Sequence, residues 1–354
     1  MSSFLPNAWH MAAWSDEVGE ALLSRRLCGR KILFFRKEDG AVAAMDDRCP
    51  HRFAPLSLGT RGGDIVTCGY HGLAFNADGR CVHNPFADHL PAGAVVRTYP
   101  VAERDGILWY WPGDPLLADE QLIVPLPFLG QTPPNQLLHG YTMMAANYEY
   151  GTDNLMDLSH IEFVHKGSFA GAGVIFAGRH EVVQQGETLF SNWWMPNVAA
   201  PAHTIGIYPR EMRTDHWLDM RWNAPATMYL NIGATPVDSP RDAGVIVDQA
   251  HILTPASEDS THYFWATTSA IPLDDPEVAA GFQMLFAKAF EEEDKPMIQA
   301  AYENIEGGDF WDQKPAFLGV DAGGTRARRL LETMRKRGST VDTTEGARPM
   351  EVTP

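Results

Sequence analysis

Cysteine is scarce in this chain, which holds only four among its 354 residues. Disulfide frameworks are typical of short, cysteine-dense secreted domains, so four cysteines at this length argue against one. The N-terminal stretch MSSFLPNAWHMAAWSDEVGE lacks the basic region and apolar core of a signal peptide. We therefore expect a reducing, cytoplasmic compartment, in which cysteines that stand in motifs are metal ligands or catalysts.

Basic residues are also few in comparison with acidic ones, and long apolar runs are absent from the sequence. Lys and Arg number 28 against 45 Asp and Glu, which gives a formal net charge of −17. A chain this acidic repels nucleic acid and anionic membranes, so we expect neither as a partner. No apolar run reaches the length of roughly 18 residues that a membrane-spanning helix needs. The composition is that of a globular protein, and the length favours two domains.

The first part of the chain, residues 1–118, is predicted to be a small all-β domain. KILFFRKEDGAVAAMDD and LAFNADGRCVHNP each place an Asp-Gly pair between two short runs, which is typical of a β-hairpin. GILWYWPGDP adds a further strand that a Pro-Gly turn closes.

The second part, residues 119–338, is predicted to be an α+β domain in which helices pack on an antiparallel sheet. A connector rich in Pro and Leu (118–140) is followed by a mainly helical segment (141–166) and strand-like runs (175–270). Amphipathic patterning predicts helices over 275–305 and 321–337. We expect the polar tail, residues 339–354, to be mobile.

Two of the four cysteines stand in RCPHRFAPLSLGTRGGDIVTCGYHGL, as Cys49-Pro-His51 and Cys68-Gly-Tyr-His71. Two cysteines and two histidines bind either zinc or a [2Fe–2S] cluster with two thiolates on one iron and two imidazoles on the other. Zinc-finger spacings keep cysteines and histidines apart, whereas each loop here mixes them. That mixing favours a Rieske cluster over zinc or a metal-free core. The other two cysteines are expected to be ordinary buried residues.

A second motif, NYEYGTDNLMDLSHIEFVH, carries Asn154, Asp157 and His160 at successive spacings of three, so they share a face of a helix. His165 comes five residues after His160 and leaves that face, so the helix must end or bulge if both histidines bind one metal. Two histidines and a carboxylate form the facial triad of non-haem iron oxygenases. A pair of satisfied core histidines is the alternative.

The carboxylate of such a triad is either the local Asp157 or a distant acid. Asp294 is the distant candidate, because it falls on the apolar stripe formed by Phe286, Phe290 and Ile298. An acid on an apolar face is costly unless it is paired or bound to a metal. The three glutamates just before it are expected to be solvated, and Pro296 is expected to distort the helix.

Together these motifs make the chain resemble the oxygenase component of the Rieske non-haem iron monooxygenases over nearly its whole length. The resemblance rests on CPHRFAPLSLG, CGYHGL, DNLMDLSHIEFVH and EEEDKPM, and further on VHNP, ERDGILWYWPGDPLLAD, HILTP and DAGGTRARRLLE. The most similar group is that of the aromatic O-demethylases, which includes vanillate demethylase and dicamba monooxygenase.

This resemblance implies a role for each motif residue. The cluster would be held by Cys49, His51, Cys68 and His71, and the mononuclear Fe(II) by His160, His165 and Asp294. Asp157 would then bridge a cluster histidine of one subunit to an iron-ligating histidine of the next, in a ring-shaped homotrimer. Asn154 would lie beside the iron. The second domain would be a helix-grip fold, with Asn231 and His251 lining the substrate pocket.

The implied activity is O-demethylation of a methoxylated aromatic acid, such as vanillate, with O₂ and with release of formaldehyde. Electrons would come from NAD(P)H through a separate ferredoxin or flavin reductase. Alternatives are methyl or ring hydroxylation and N-demethylation of a related arene; ring cis-dihydroxylation is disfavoured. Outside this class stand a Rieske electron-transfer protein, which leaves the second domain unexplained, and a zinc-stabilised ligand-binding protein.

Overall fold

The computed structural model describes residues 4–166 and 173–338, so the predicted mobile tail at 339–354 lies outside the described residues. The described chain divides into two compact units. One runs to Ile123 and also includes Thr254–Glu258, and the other holds the remaining residues from Val124 onward. The sequence placed the boundary at residue 118, a few residues before this division.

The first unit is built from short strands in three small sheets. The strands are β1 (His10–Trp14), β2 (Leu23–Leu27), β3 (Arg30–Arg36), β4 (Val42–Asp46), β5 (Thr60–Gly62), β6 (Ile65–Thr67), β7 (Ala74–Phe75), β8 (Cys81–His83), β9 (Val101–Arg104) and β10 (Ile107–Tyr110). The orders of the three sheets are β1-β10-β9, β2-β3-β4 and β5-β6-β7-β8.

Both hairpins that the sequence predicts in this unit are present. Strands β3 and β4 pair across the turn at Asp39-Gly40, and β7 and β8 pair across the turn at Asp78-Gly79. The glycine of each turn has a positive φ, 87° at Gly40 and 76° at Gly79, a conformation that other residues adopt at a cost.

The second unit is dominated by a seven-stranded antiparallel sheet in the order β11-β17-β16-β15-β14-β13-β12. Six consecutive strands therefore form a meander, and the earliest strand joins the far edge beside the last one. The strands are β11 (Leu137–Met144), β12 (Arg179–Gln185), β13 (Thr188–Ala199), β14 (Arg213–Asn223), β15 (Thr227–Pro236), β16 (Val245–Ser257) and β17 (Ser260–Thr268). The α+β expectation is confirmed.

Helices accompany this sheet: α1 (Phe128–Gln131), α2 (Tyr148–Met156), α3 (Ile161–Val164), α4 (Pro276–Ala287), α5 (Lys295–Glu303) and α6 (Ala322–Arg337). The predicted helices at 275–305 and 321–337 are confirmed. The prediction of helix over 141–166 is wrong at its start, because 141–144 complete strand β11. There exposed and buried residues alternate, which is the period of a strand. None of the described helices combines the length and apolarity that a bilayer crossing requires.

A π-helical segment, Lys288–Asp294, joins α4 to α5. In a regular α-helix, residues four apart drift steadily around the axis. The wider turn of the π segment offsets this drift, so Phe286, Phe290, Asp294 and Ile298 are all buried along one stripe. The predicted distortion of the helix thus lies just before Pro296 and keeps an acid in register with apolar neighbours.

Candidate metal centres

The two cysteine loops of the first unit share one hydrogen-bond frame. The N–H of each cysteine, Cys49 and Cys68, donates to the carbonyl five residues later, at 2.8 Å in both loops. The N–H four residues after each cysteine donates back to the cysteine carbonyl, at 2.9 and 3.0 Å. That fourth residue has a positive φ in both loops, 62° at Phe53 and 73° at Gly72. The two loops share only the order of cysteine and histidine in their sequences, but they have the same backbone hydrogen bonds and the same positive φ at the fourth residue.

The frame brings like ligands together. The Cys49 and Cys68 thiols are buried in the core of the unit, within hydrogen-bonding reach of each other. Burial raises the pKa of the Cys49 thiol, although backbone N–H groups of the loop act in the opposite direction. His51 and His71 lie towards the surface, with ring centroids 4.6 Å apart. Each loop thus points its sulfur inward and its imidazole outward.

This arrangement distinguishes between the two metals that the sequence left open. A tetrahedral zinc ion would need ligand atoms from all four residues close around one point. Among the described residues, the only group of three or more candidate ligands with atoms within 4.8 Å of one another is in the second unit. A pair of thiols and a separate pair of imidazoles instead suits a cluster of two irons, one for each pair.

That group in the second unit consists of His160, His165 and Asp294. Nε2 of His160 lies 3.4 Å from Oδ1 of Asp294, and Nε2 of His165 lies 3.3 Å from Oδ2. Burial raises the pKa of the Asp294 carboxyl, but the two histidines outweigh it and hold that pKa below its usual range. Two imidazole nitrogens and a carboxylate around one point form a ligand set suited to non-haem iron.

A break in the helix places the two histidines. Helix α2 ends at Met156, because Asp157 leaves the helical conformation with φ −116° and ψ 88°. The Asp157 carboxylate then accepts hydrogen bonds from the N–H and hydroxyl of Ser159, at 2.9 and 2.6 Å, and so begins the next turn. Helix α3 follows, and His165 comes directly after it. The expectation that the helix ends or bulges before His165 agrees with this geometry.

Each histidine is oriented by a second partner. Nδ1–H of His160 donates to the backbone carbonyl of Asp157 at 2.6 Å, and Nδ1–H of His165 donates to Oε2 of Glu293 at 2.8 Å. Partners of this kind fix the tautomer and leave Nε2 for a metal. The sequence reasoning placed Glu293 in solvent, which is wrong. Glu293 and Asp294 contact opposite edges of the same imidazole, and only the assembled fold brings that ring to the helix.

Hydrogen bonds to two other helical segments position helix α2. Nδ2 of Asn154 donates to Oδ1 of Asp294 at 3.4 Å, so Asn154 lies beside the candidate ligands. On the other side, the Arg328 guanidinium of α6 donates to the carboxylate of Asp153, with a shortest distance of 2.6 Å, and to Glu149 at 3.2 Å. A buried ion pair with several hydrogen bonds fixes the geometry of the groups that carry it.

A cavity of about 440 Å³ adjoins the His160, His165 and Asp294 group, whose three residues form part of its wall. The rest of its lining is mainly aliphatic and aromatic. His251 lines this cavity, with Nδ1 2.7 Å from the Tyr263 hydroxyl and Nε2 3.2 Å from Oε1 of Gln249. Burial lowers the pKa of His251 to about 4, so it is neutral at neutral pH.

Asn231, the other predicted pocket residue, does not line the cavity. Its strand neighbours Leu230 and Ile232 do, and successive residues of a strand face opposite sides of the sheet. On the far side Asn231 accepts from Trp217 Nε1 at 2.7 Å and donates to Asp248 at 2.8 Å. The polar lining residues that sequence reasoning missed are His203, His216, Gln249, Thr268 and Ser269, which carry no distinctive spacing in the sequence.

Comparison with known proteins agrees with both centres. Residues 8–100 match the family model of the Rieske [2Fe-2S] domain, and residues 144–337 match that of the vanillate O-demethylase oxygenase C-terminal domain. The oxygenase component of chloroacetanilide N-alkylformylase from Rhizorhabdus wittichii is 36% identical, over 93% of this chain and 95% of that protein. The oxygenase component of dicamba O-demethylase from Stenotrophomonas maltophilia is also 36% identical, over 94% and 98%.

Similarity extends to solved structures. A crystal structure of dicamba monooxygenase with non-haem iron and dicamba superposes with a TM-score of 0.81 at 33% identity, covering 95% of this chain and 98% of that one. The similarity to dicamba monooxygenase therefore covers nearly the whole chain, in sequence as well as in fold.

Proposed function

Because this chain belongs to the Rieske non-haem iron oxygenases, in the group of the vanillate and dicamba O-demethylase oxygenase components, we propose that it removes a methyl group from a methoxylated arene. The chain is a terminal oxygenase component with a Rieske cluster and a mononuclear iron. The aryl methyl ether, O₂, two electrons and two protons give an aryl–O–CH₂OH hemiacetal and water. The hemiacetal then breaks down to a phenol and formaldehyde.

The observation that carries this proposal is the cavity beside His160, His165 and Asp294. An apolar pocket of this volume encloses a substituted aromatic ring and excludes water from it. His160, His165 and Asp294 lie in the wall of this pocket, so an alkyl substituent of a bound aromatic ring can lie next to the proposed iron site. N-dealkylation is the second candidate, because the relative from Rhizorhabdus wittichii is named an N-alkylformylase.

We assign the ligands accordingly. Cys49, Cys68, His51 and His71 hold the cluster, and His160, His165 and Asp294 hold the mononuclear iron. When bound, the cluster supplies electrons and the mononuclear iron activates O₂. The chain orients His160 and His165 through their Nδ1 atoms, and the apolar wall keeps the methoxy group dry and in place.

Asp157 is the proposed electron bridge in a homotrimer. Its backbone carbonyl accepts from His160, while Oδ1 accepts from Ser159. Within the described chain no hydrogen bond to its Oδ2 is found, so this atom is available for a cluster histidine of a neighbouring subunit. His51 and His71 lie towards the surface, where such a contact can form. Electrons enter from NAD(P)H through a separate ferredoxin or flavin reductase, as the words "oxygenase component" in the relatives' names imply for those proteins.

The test is a turnover screen of the full chain with a generic reductase, NADH and O₂. Methoxybenzoates, methoxyphenols and N-methylanilines are compared, with Asp294→Asn as the inactive control. We expect formaldehyde and the demethylated phenol in equal amounts from methoxyarenes. Hydroxylated products that keep their methyl group, or formaldehyde from the N-methylanilines alone, would contradict O-demethylation.

A further inference from the structure

Two histidines that no role above uses, His203 and His216, line the same cavity. His216 lies on β14, and His203 lies in the segment after β13. Their ring centroids are 5.4 Å apart, so they form one polar patch in a mainly apolar wall. We call these two residues the histidine pair.

The histidine pair lies far from the metal-ligating group along the sheet. His216 is opposite Ala234 of β15, which is opposite Val245 of β16. His251 lies six residues further along β16, from 245 to 251, and is close enough to Asp294 to feel its charge. A substrate that reaches from the metal centre to the pair is therefore elongated.

The hydrogen bonds of the pair leave one nitrogen of each ring available. Nδ1–H of His216 donates to the Gly233 carbonyl at 2.7 Å, so in the neutral ring Nε2 carries a lone pair. His203 donates to the Val245 backbone carbonyl, and its Nε2 is buried with no hydrogen-bond partner among the described residues, so in the neutral ring this Nε2 also carries a lone pair. Burial lowers the pKa of His216 to about 4, and burial together with the neighbouring His216 lowers the pKa of His203 to about 3. Both rings are thus uncharged at neutral pH.

An unpartnered buried nitrogen is costly unless a ligand satisfies it. A carboxylate is a poor match, because the described residues that line the cavity include no Lys or Arg and the pair is neutral. A hydroxyl group fits better, since its single O–H can be shared between the Nε2 lone pairs of His203 and His216.

We propose that His203 and His216 are a recognition site for a neutral hydroxyl group at the end of an elongated arene remote from the methoxy group. This inference rests on the proposed function for the methoxy end and refines the substrate class that the sequence suggested, from an aromatic acid to a phenol.

The test measures binding without turnover, on the full chain with both metal centres loaded and kept free of oxygen and reductant. The probes are 4′-methoxybiphenyl-4-ol, 4,4′-dimethoxybiphenyl and 4′-methoxybiphenyl-4-carboxylate, titrated by calorimetry at pH 7.5. We expect the hydroxyl probe to bind about tenfold more tightly than the dimethoxy probe, the size expected for one well-placed buried hydrogen bond. The carboxylate probe should bind most weakly.

Two variants assign this preference to the pair. His216→Asn keeps an N–H for the Gly233 carbonyl and removes the Nε2 acceptor, while His203→Leu keeps volume and removes the unpartnered nitrogen. Each variant should bind the hydroxyl probe about tenfold more weakly than the unaltered chain does, and its affinity for the dimethoxy probe should change by less than about twofold. His139→Gln, on the exposed side of β11, is the matched histidine loss and should change neither.

Equal binding of the hydroxyl and dimethoxy probes to the unaltered chain, or tightest binding of the carboxylate, overturns the proposal. So does a variant that weakens all three probes alike. If a variant does not fold, the ranking of the three probes on the unaltered chain still decides. Failure of the proposed function is separate: no methoxy probe then yields formaldehyde with reductase, NADH and O₂, whatever the binding order.

Discussion

The two metal centres are built in opposite ways. The proposed cluster ligands, Cys49, His51, Cys68 and His71, lie on two loops of one small unit, and each loop is closed by its own backbone hydrogen bonds. The second centre combines His160 and His165 with Asp294, which comes from a π-helical segment far along the chain. One centre is a local motif, and the other exists only when a helix and a distant segment are packed together.

The centres also differ in what they bury. The first buries its sulfurs and keeps its imidazoles near the surface, which suits a group that passes electrons outward. The second buries a carboxylate in the wall of an apolar cavity, which suits chemistry that water must not reach. Changes that remove one centre should therefore leave the other intact.

The largest effect is expected from Asp294→Asn. Loss of the carboxylate removes a ligand and the charge that two imidazoles face, so iron should fall from about three to about two per chain. Formaldehyde release should be lost, while the visible spectrum of the cluster is unchanged. Iron analysis and absorption spectra check this, and a variant that keeps its third iron would refute the ligand assignment.

The converse change, Cys68→Ser, should remove the cluster and spare the second centre. A hydroxyl in place of a buried thiolate is a poor ligand for the cluster iron, so the brown colour and its spectrum should disappear. About one iron per chain should remain at the second centre. Loss of all iron would show that the two centres depend on each other for folding.

Asp157→Asn should separate electron transfer from metal binding. Neither centre should lose a ligand, so both metals should stay bound, but the proposed bridging carboxylate is lost and turnover should be nearly abolished. Single-turnover kinetics, started from the reduced cluster, measure the transfer step directly. Ser159→Ala, which removes only a hydroxyl that contacts this carboxylate, should have a much smaller effect. Turnover close to that of the unaltered chain in Asp157→Asn contradicts the bridge.

Glu293→Gln tests the orienting partner of His165. A neutral amide accepts less strongly from Nδ1–H, so iron affinity at the second centre should fall by about 10- to 100-fold. Cluster content should not change. Glu292→Gln is the matched control, because its side chain is exposed on the same segment. Competition with an iron chelator measures the iron affinity of both variants, and equal affinities would show that Glu293 does not support iron binding.

The smallest effects are expected at the fourth residue after each cysteine. Gly72→Ala puts a side chain at φ 73° and 3.2 Å from Cγ of Pro85, so it should lower the free energy of unfolding by about 1–2 kcal/mol. Phe53→Gly, at φ 62° in the equivalent place, should change it by less than about 1 kcal/mol. Denaturant unfolding, monitored by the cluster spectrum, compares them. If the two variants lost the same free energy of unfolding, the two cysteine loops would not be equivalent at this position.

Much of this architecture could be read from short-range patterns. The Asp-Gly turns, the helix over 275–305 and the mixed order of cysteines and histidines depend on neighbours in the chain. The strand at 141–144 was missed because its alternation covers only a few residues before a helix begins. Asn231 and Glu293 were misplaced because the side of a sheet or helix that meets a partner depends on packing.

The sequence by itself thus determined the family, the two-domain order and the cluster loops, since local spacing and turn residues fix these features. Tertiary structure alone decided that Glu293 orients His165, that Asn231 turns away from the cavity and that His203 and His216 come together inside it. Those contacts join residues far apart in the chain. Their formation depends on strand register and on the π-helical turn, which no short stretch of sequence encodes.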